Sequence, residues 1–185
     1  MATERKLHAL LSPKLGEALR AAAEALKASG VEFALVGGLA LDHYADEPRF
    51  TRDIDFVGAA EAWKSAVRAI RAAGFTHGKV DEMLTQLENR DGVRVDLLFG
   101  VGDPEESARA TAKRQKVLGV MVPVAAPEYL VWMYLLSDQR RHEEDAERLV
   151  RQGIDLPKLA SWLRMTGSTH ELTRLSGIIA RVRGG

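Results

Sequence analysis

The sequence has no cysteine, which excludes disulfides, thiolate nucleophiles and cysteine-ligated zinc. It also lacks any apolar run near the roughly 18 residues that cross a bilayer; the longest, such as Tyr129 to Leu136, are far shorter. There is no excess charge of either sign, with 26 Lys and Arg against 26 Asp and Glu. That argues against bulk nucleic-acid binding, which is driven by counter-ion release. The opening stretch MATERKLHALLSPK has charge but no sustained apolar segment and no small-residue cleavage site, which argues against a secretory signal. The expectation is a cytoplasmic protein with no membrane role. What is present, 185 residues with 46% hydrophobic and 28% charged side chains, fits one globular domain with at most a small appendage. Charge is uneven locally. Residues 158–185 hold Lys158, Arg164, Arg174, Arg181 and Arg183 against the single acid Glu171, either a solvated helical face or a surface that meets a polyanion.

Periodicity divides the chain in two. Ser12-Pro13 reads as a helix start, followed by Leu15, Leu19, Ala22, Ala23 and Leu26 at helical spacing, with Gly30 as the stop. Residues 31–36, VEFALV, read as a buried strand; Gly37-Gly38 and a short helix follow, then a loop from Asp46 to Phe50. DIDFVG at 53–58 alternates, placing Asp53 and Asp55 on one strand face and Ile54 and Phe56 on the other. A helix over 60–73 is closed by Gly74. Strands near 82–88 and 93–99 are joined by Asn89-Arg90-Asp91-Gly92, whose Asp-Gly is a hairpin signal. A short helix opens at Asp103-Pro104, and residues 115–124 have strand character with a break at Gly119. From Pro127 the pattern is helical: 127–138, 141–152, 157–165 and 168–182. Tyr129, Trp132, Met133 and Leu136 form an apolar stripe suited to core packing. The expected organisation is α+β over residues 1–125, with a packed helical subdomain over 126–185.

The chemistry concentrates between Gly37 and Phe56. Two aspartates on one face of a strand repel each other, and aspartate is a poor strand former. A divalent cation removes that repulsion, and Mg²⁺ favours carboxylates together with substrate phosphates. Gly37-Gly38, after a strand and before a helix, allows close backbone approach to a ligand and offers N–H groups to a phosphate. Asp96, within the apolar strand VRVDLLF, is costly to bury without a partner. It reads either as paired with Arg94 or Arg52, or as a third metal ligand that accepts a proton. No histidine pair has zinc-ligand spacing, His142-Glu143 lacks the second histidine of a zinc-protease helix, and no Gly-x-Ser-x-Gly is present.

In this order, Val36-Gly37-Gly38, Asp53-Ile54-Asp55-Phe56 and Asp96 resemble the nucleotidyltransferase superfold of DNA polymerase beta-like enzymes. The block from Arg49 through Thr51 to Asp53 and Asp55 resembles, more narrowly, the abortive-infection type nucleotidyltransferases. These are the toxin halves of some bacterial toxin–antitoxin pairs. The resemblance covers residues 31–100 well and the helical tail loosely. It implies a nucleotidyltransferase-type mixed sheet flanked by helices. It also implies transfer of a nucleoside monophosphate from an NTP such as ATP to an acceptor hydroxyl, with release of pyrophosphate. In that reading Asp53, Asp55 and Asp96 are catalytic and bind Mg²⁺ or Mn²⁺, with Asp96 also helping to deprotonate the acceptor. Gly37 and Gly38 hold the β and γ phosphates, and Arg49 or Thr51 contacts phosphate or braces the aspartates. The acceptor is a tRNA, a protein or a small molecule, and the partner is a cognate antitoxin or similar protein. The tail departs from the pattern. Where relatives usually carry a helical lysine, this chain has Tyr134 or a neighbour, with Arg140 or Arg141 as alternative cations and Glu143 and Asp145 as the matching acids. The alternative reading is a non-catalytic nucleotide- or partner-binding module on the same fold.

Overall fold

The alternating segment DIDFVG lies at the centre of the fold because its apolar side is completely enclosed: Ile54 and Phe56 have no exposed surface. The computed structural model describes residues 2–46, 51–100 and 103–184. Its elements in chain order are α1 (Ala2–Ala28), β1 (Phe33–Val36), α2 (Gly37–Tyr44), β2 (Asp53–Gly58), α3 (Trp63–Ala72), β3 (His77–Lys79), β4 (Leu84–Glu88), β5 (Arg94–Leu98), α4 (Asp103–Ala110), β6 (Lys113–Val117), β7 (Val120–Val124), α5 (Pro127–Leu135), α6 (Arg140–Arg151), α7 (Leu156–Met165) and α8 (Thr169–Gly184). One 3-10 turn, Ala60–Ala62, leads into α3. The strands form one mixed sheet in the order β3-β4-β5-β2-β1-β7-β6. β2 runs antiparallel to β1 and parallel to β5, and β1 runs parallel to β7. This is the expected α+β architecture of a mixed sheet flanked by helices.

Local sequence accounts for most boundaries. Gly74 (φ +97°) receives the end of α3 and Gly92 (φ +75°) closes the β4–β5 hairpin, both in the left-handed region that costs glycine little. Three details differ from the sequence reading. α1 begins at Ala2, with Pro13 inside it; residues 3–11 are largely good helix formers, and the missing proline N–H removes one bond without stopping the helix. The segment read as one interrupted strand is a hairpin of β6 and β7, because Leu118 (φ +47°) and Gly119 (φ +79°) form a two-residue turn with both φ positive. β3 has three exposed residues and no apolar signal; it exists through backbone pairing with β4.

The core is continuous across the expected seam at residue 125, running from Leu15 through the sheet to Ile178. Tyr129 stacks on Trp162 at 4.3 Å between ring centres, joining α5 to α7. Leu136 is the exception in its stripe: α5 ends at Leu135, and Leu136 is half exposed. Polar contacts cross the seam as well. The Tyr134 hydroxyl donates to the Gly37 carbonyl, and Gln152 donates to Asp46.

The basic tail is largely engaged within the chain. Arg174 donates to the Leu135 carbonyl, Arg181 binds Glu143 and Glu147, and Lys158 lies over the Trp162 ring. Of the two readings of this segment, the polyanion surface loses three of its five cations to internal partners.

Leu130 is fully buried in α5. Leu130→Ala is expected to cost about 2–5 kcal/mol, a fall in Tm of roughly 4–20 °C for a chain of this size. Tryptophan fluorescence, dominated by Trp132 and Trp162 in the helical part, and far-UV circular dichroism are expected to report one coincident transition. Two separate transitions would show that residues 1–125 and 126–185 unfold independently.

Candidate active site

Strand register assembles the site. Residues paired across neighbouring strands share a sheet face, so Val36, Asp55, Asp96 and Gln86 form one row across β1, β2, β5 and β4. The adjacent row is Asp53, Arg94 and Glu88. Three carboxylates expected from the sequence therefore lie side by side on one face.

Gly37 closes this face from above. It has φ +64°, and a Cβ placed on it would lie 2.0 Å from Asp55 Oδ2. Only glycine fits, both for conformation and for space. Gly38 is buried in the first turn of α2, and no side chain caps that helix end. The Tyr134 hydroxyl, from α5, donates to the Gly37 carbonyl at 3.0 Å. In a planar trans peptide the N–H opposes the C=O, so this bond turns the Gly38 N–H away from α5. Tyr134 stands about where the resemblance expects a lysine, and here it braces the glycine turn instead.

The carboxylates differ in environment. Asp53 is partly exposed and takes a 2.6 Å bond from Arg94 Nη2. Asp96 is buried, with Oδ2 accepting from Gln86 Nε2 at 2.9 Å. Its Oδ1 lies 2.8 Å from Arg94 Nε, yet neither atom has a hydrogen-bond partner; the contact is electrostatic, with the N–H not aimed at the oxygen. Burial pushes the Asp96 carboxyl up from the usual carboxylate range and the neighbouring Asp53 charge adds to this, while Gln86 and Arg94 pull the other way without cancelling it. Thr51 is buried, and its hydroxyl makes a long 3.4 Å bond to the Asp53 carbonyl, bracing the start of β2. Arg49 lies outside the described residues.

The helical acids and cations divide. Asp145 is buried in α6, Glu143 pairs with Arg181, and Arg140 pairs with Glu144 at the surface. Gln86 is the site residue that sequence reasoning missed. The signal was in the hairpin: a turn at Asn89–Gly92 sets Glu88 against Arg94 and hence Gln86 against Asp96.

Among the described residues no group of three or more His, Asp or Glu is arranged to hold a metal ion; the Arg94 guanidinium contacts both Asp53 and Asp96. The donor chemistry nevertheless suits a hard divalent cation: three carboxylates on one face, one with a buried oxygen lacking a hydrogen-bond partner.

The model of the family described as "Nucleotidyl transferase AbiEii toxin, Type IV TA system" matches residues 18–175. No curated protein matches significantly. Among solved structures, ANT(2″)-Ia in complex with adenylyl-2″-tobramycin is 16% identical, with a TM-score of 0.56 over 95% of this chain and 98% of that one. The lincosamide antibiotic adenylyltransferase LnuA, lincomycin-bound, is 14% identical, with a TM-score of 0.51 over 68% of this chain and 90% of that one. JHP933 from Helicobacter pylori is 15% identical, with a TM-score of 0.51 over 85% and 74%. At these identities the likeness is one of fold.

Two predictions follow from the geometry. Gly37→Ala is expected to lower Tm by more than Gly92→Ala, where a Cβ meets nothing. The left-handed backbone alone costs about 1–2 kcal/mol, roughly 2–8 °C, and the excess at Gly37 measures the collision with Asp55. Asp96→Asn in chelator at neutral pH is expected to raise Tm. A carboxyl whose folded pKa is raised favours folding when protonated, and that contribution is lost as pH rises through the folded value. The advantage of Asp96→Asn is therefore expected to shrink as pH falls toward about 4, the unfolded pKa.

Proposed function

Since the chain belongs to the AbiEii nucleotidyl transferase toxin family, we propose that it transfers a nucleoside monophosphate from an NTP to an acceptor hydroxyl and releases pyrophosphate. The observation that carries this reading is the shared face of Asp53, Asp55 and Asp96 directly beneath the Gly37 turn. Asp53, Asp55 and Asp96 would hold Mg²⁺ or Mn²⁺. When bound, such a cation neutralises charge on the phosphates and the leaving oxygens.

The protein's own part is binding and orientation. The N–H groups at Gly37 and Gly38, on an uncapped helix start, suit the β and γ phosphates. Tyr134 fixes that turn through the Gly37 carbonyl. Asp96, beside Asp55 in register, takes the acceptor proton. The acceptor oxygen then bonds to the α-phosphorus as the bond from that phosphorus to the bridging oxygen breaks. Thr51 steadies Asp53 from the backbone side, and a phosphate contact is proposed for Arg49. The acceptor is a hydroxyl-bearing small molecule, protein or tRNA. The type IV toxin–antitoxin description of the family supports a protein antitoxin as partner and a cytoplasmic place of action. No helix among the described residues is long and apolar enough to cross a membrane.

Thermal unfolding with each ribonucleoside triphosphate, with and without Mg²⁺, tests the donor site without knowledge of the acceptor. A ligand at 100 times its Kd adds about 2.7 kcal/mol, a shift of roughly 5–10 °C. The shift is expected for wild type with Mg²⁺ and is expected to vanish in Asp55→Asn. No shift with any nucleotide, in a chain that also labels no acceptor from radioactive NTP, would favour the non-catalytic module.

A further inference from the structure

We propose that Arg94 is a built-in competitor of the divalent cation: its guanidinium holds Asp53 and Asp96 together in the metal-free site and gives way when the cation enters. The inference rests on the metal-dependent reading above. Asp53 faces Arg94 and Asp55 faces Asp96 in register, so three carboxylates and one guanidinium share a small patch of sheet. Arg94 offsets the repulsion between Asp53 and Asp96 through its contacts to both.

The grip is unequal on its two sides. Arg94 Nη2 makes one directed bond, to Asp53. Toward Asp96 it makes a close contact without a hydrogen bond. Asp96 itself is held from the far side by Gln86, so this carboxylate keeps its place when Arg94 leaves. The Arg94 side chain is 41% exposed, and its long stem lets the charged head move into solvent while the aliphatic part stays on the sheet.

A second seat is ready for it. Glu88 faces Arg94 from the opposite neighbour, β4, in register and on the same face. It is exposed, and cross-strand pairs of opposite charge are favourable at this spacing. Arg94 therefore stands between two carboxylates, Asp53 on the site side and Glu88 on the outer side. Swinging from the first to the second frees the site without leaving the guanidinium unpaired.

Mn²⁺ binding to the full chain, read by electron paramagnetic resonance of the free ion, tests this without any turnover. Arg94→Gln is expected to bind Mn²⁺ at least about tenfold more tightly than wild type, with Arg94→Lys in between. Glu88→Gln is expected to bind it more weakly than wild type, since the displaced guanidinium loses its second seat. Equal or weaker binding by Arg94→Gln overturns the competition but leaves the nucleotidyl-transfer reading intact, because the site still takes metal. Absence of Mn²⁺ binding in every variant overturns both. Should Arg94→Gln fail to fold, unchanged affinity in the surface variant Glu88→Gln overturns the proposal on its own.

Discussion

Like charge gathered on one sheet face is the constraint around which this molecule is arranged. β2 carries Asp53 and Asp55, and parallel pairing with β5 places Asp96 beside Asp55. Three carboxylates at strand spacing destabilise any sheet unless something offsets them. Arg94, which touches two of the three, and Gln86, which donates to the most buried, contribute to that offset. The opposite face of the same strand compensates by complete burial of Ile54 and Phe56. A strand that is a liability on one side is thus anchored by the core on the other. Such a division between stable scaffold and strained site is common where function needs an unfavourable arrangement.

The glycine turn shows how closely backbone and side chain are fitted. Gly37 occupies the space above Asp55 that any Cβ would fill, and its carbonyl is tied to Tyr134 on the helical part of the chain. The helical C-terminal third is thereby connected to the site by more than packing. Tyr134 takes a bracing role about where the resemblance leads one to expect a lysine. Positive charge reaches the site from the sheet, where Arg94 contacts Asp53 and Asp96.

Much of this was legible beforehand. Alternation in DIDFVG put the two aspartates on one face, the Asp-Gly turn indicated the β4–β5 hairpin, and the Gly-Gly after an apolar strand marked the turn. These features are local: they depend on side-chain period and on φ preference, both of which a short segment settles by itself. The helices after Pro127 were equally plain, with ends within a few residues of those observed. Less legible were β3, which has no apolar pattern, and α1, which continues through Pro13 despite the start signal there. Leu136 was misplaced in the core because its helix ends one residue earlier.

The partners of the charges could not be read from the sequence. The alternatives for Asp96 included Arg94 but not Gln86, and the basic tail left open whether its arginines face solvent or the chain. Register between β2 and β5, strands separated by some forty residues, decided the first; packing of α8 on α5 and α6 decided the second. The sequence by itself determined which residues carry chemistry and on which face of their own element they lie, because side-chain periodicity is a property of the backbone. The tertiary structure alone decided which charges meet, because contacts between distant segments depend on how whole elements pack and not on any local preference.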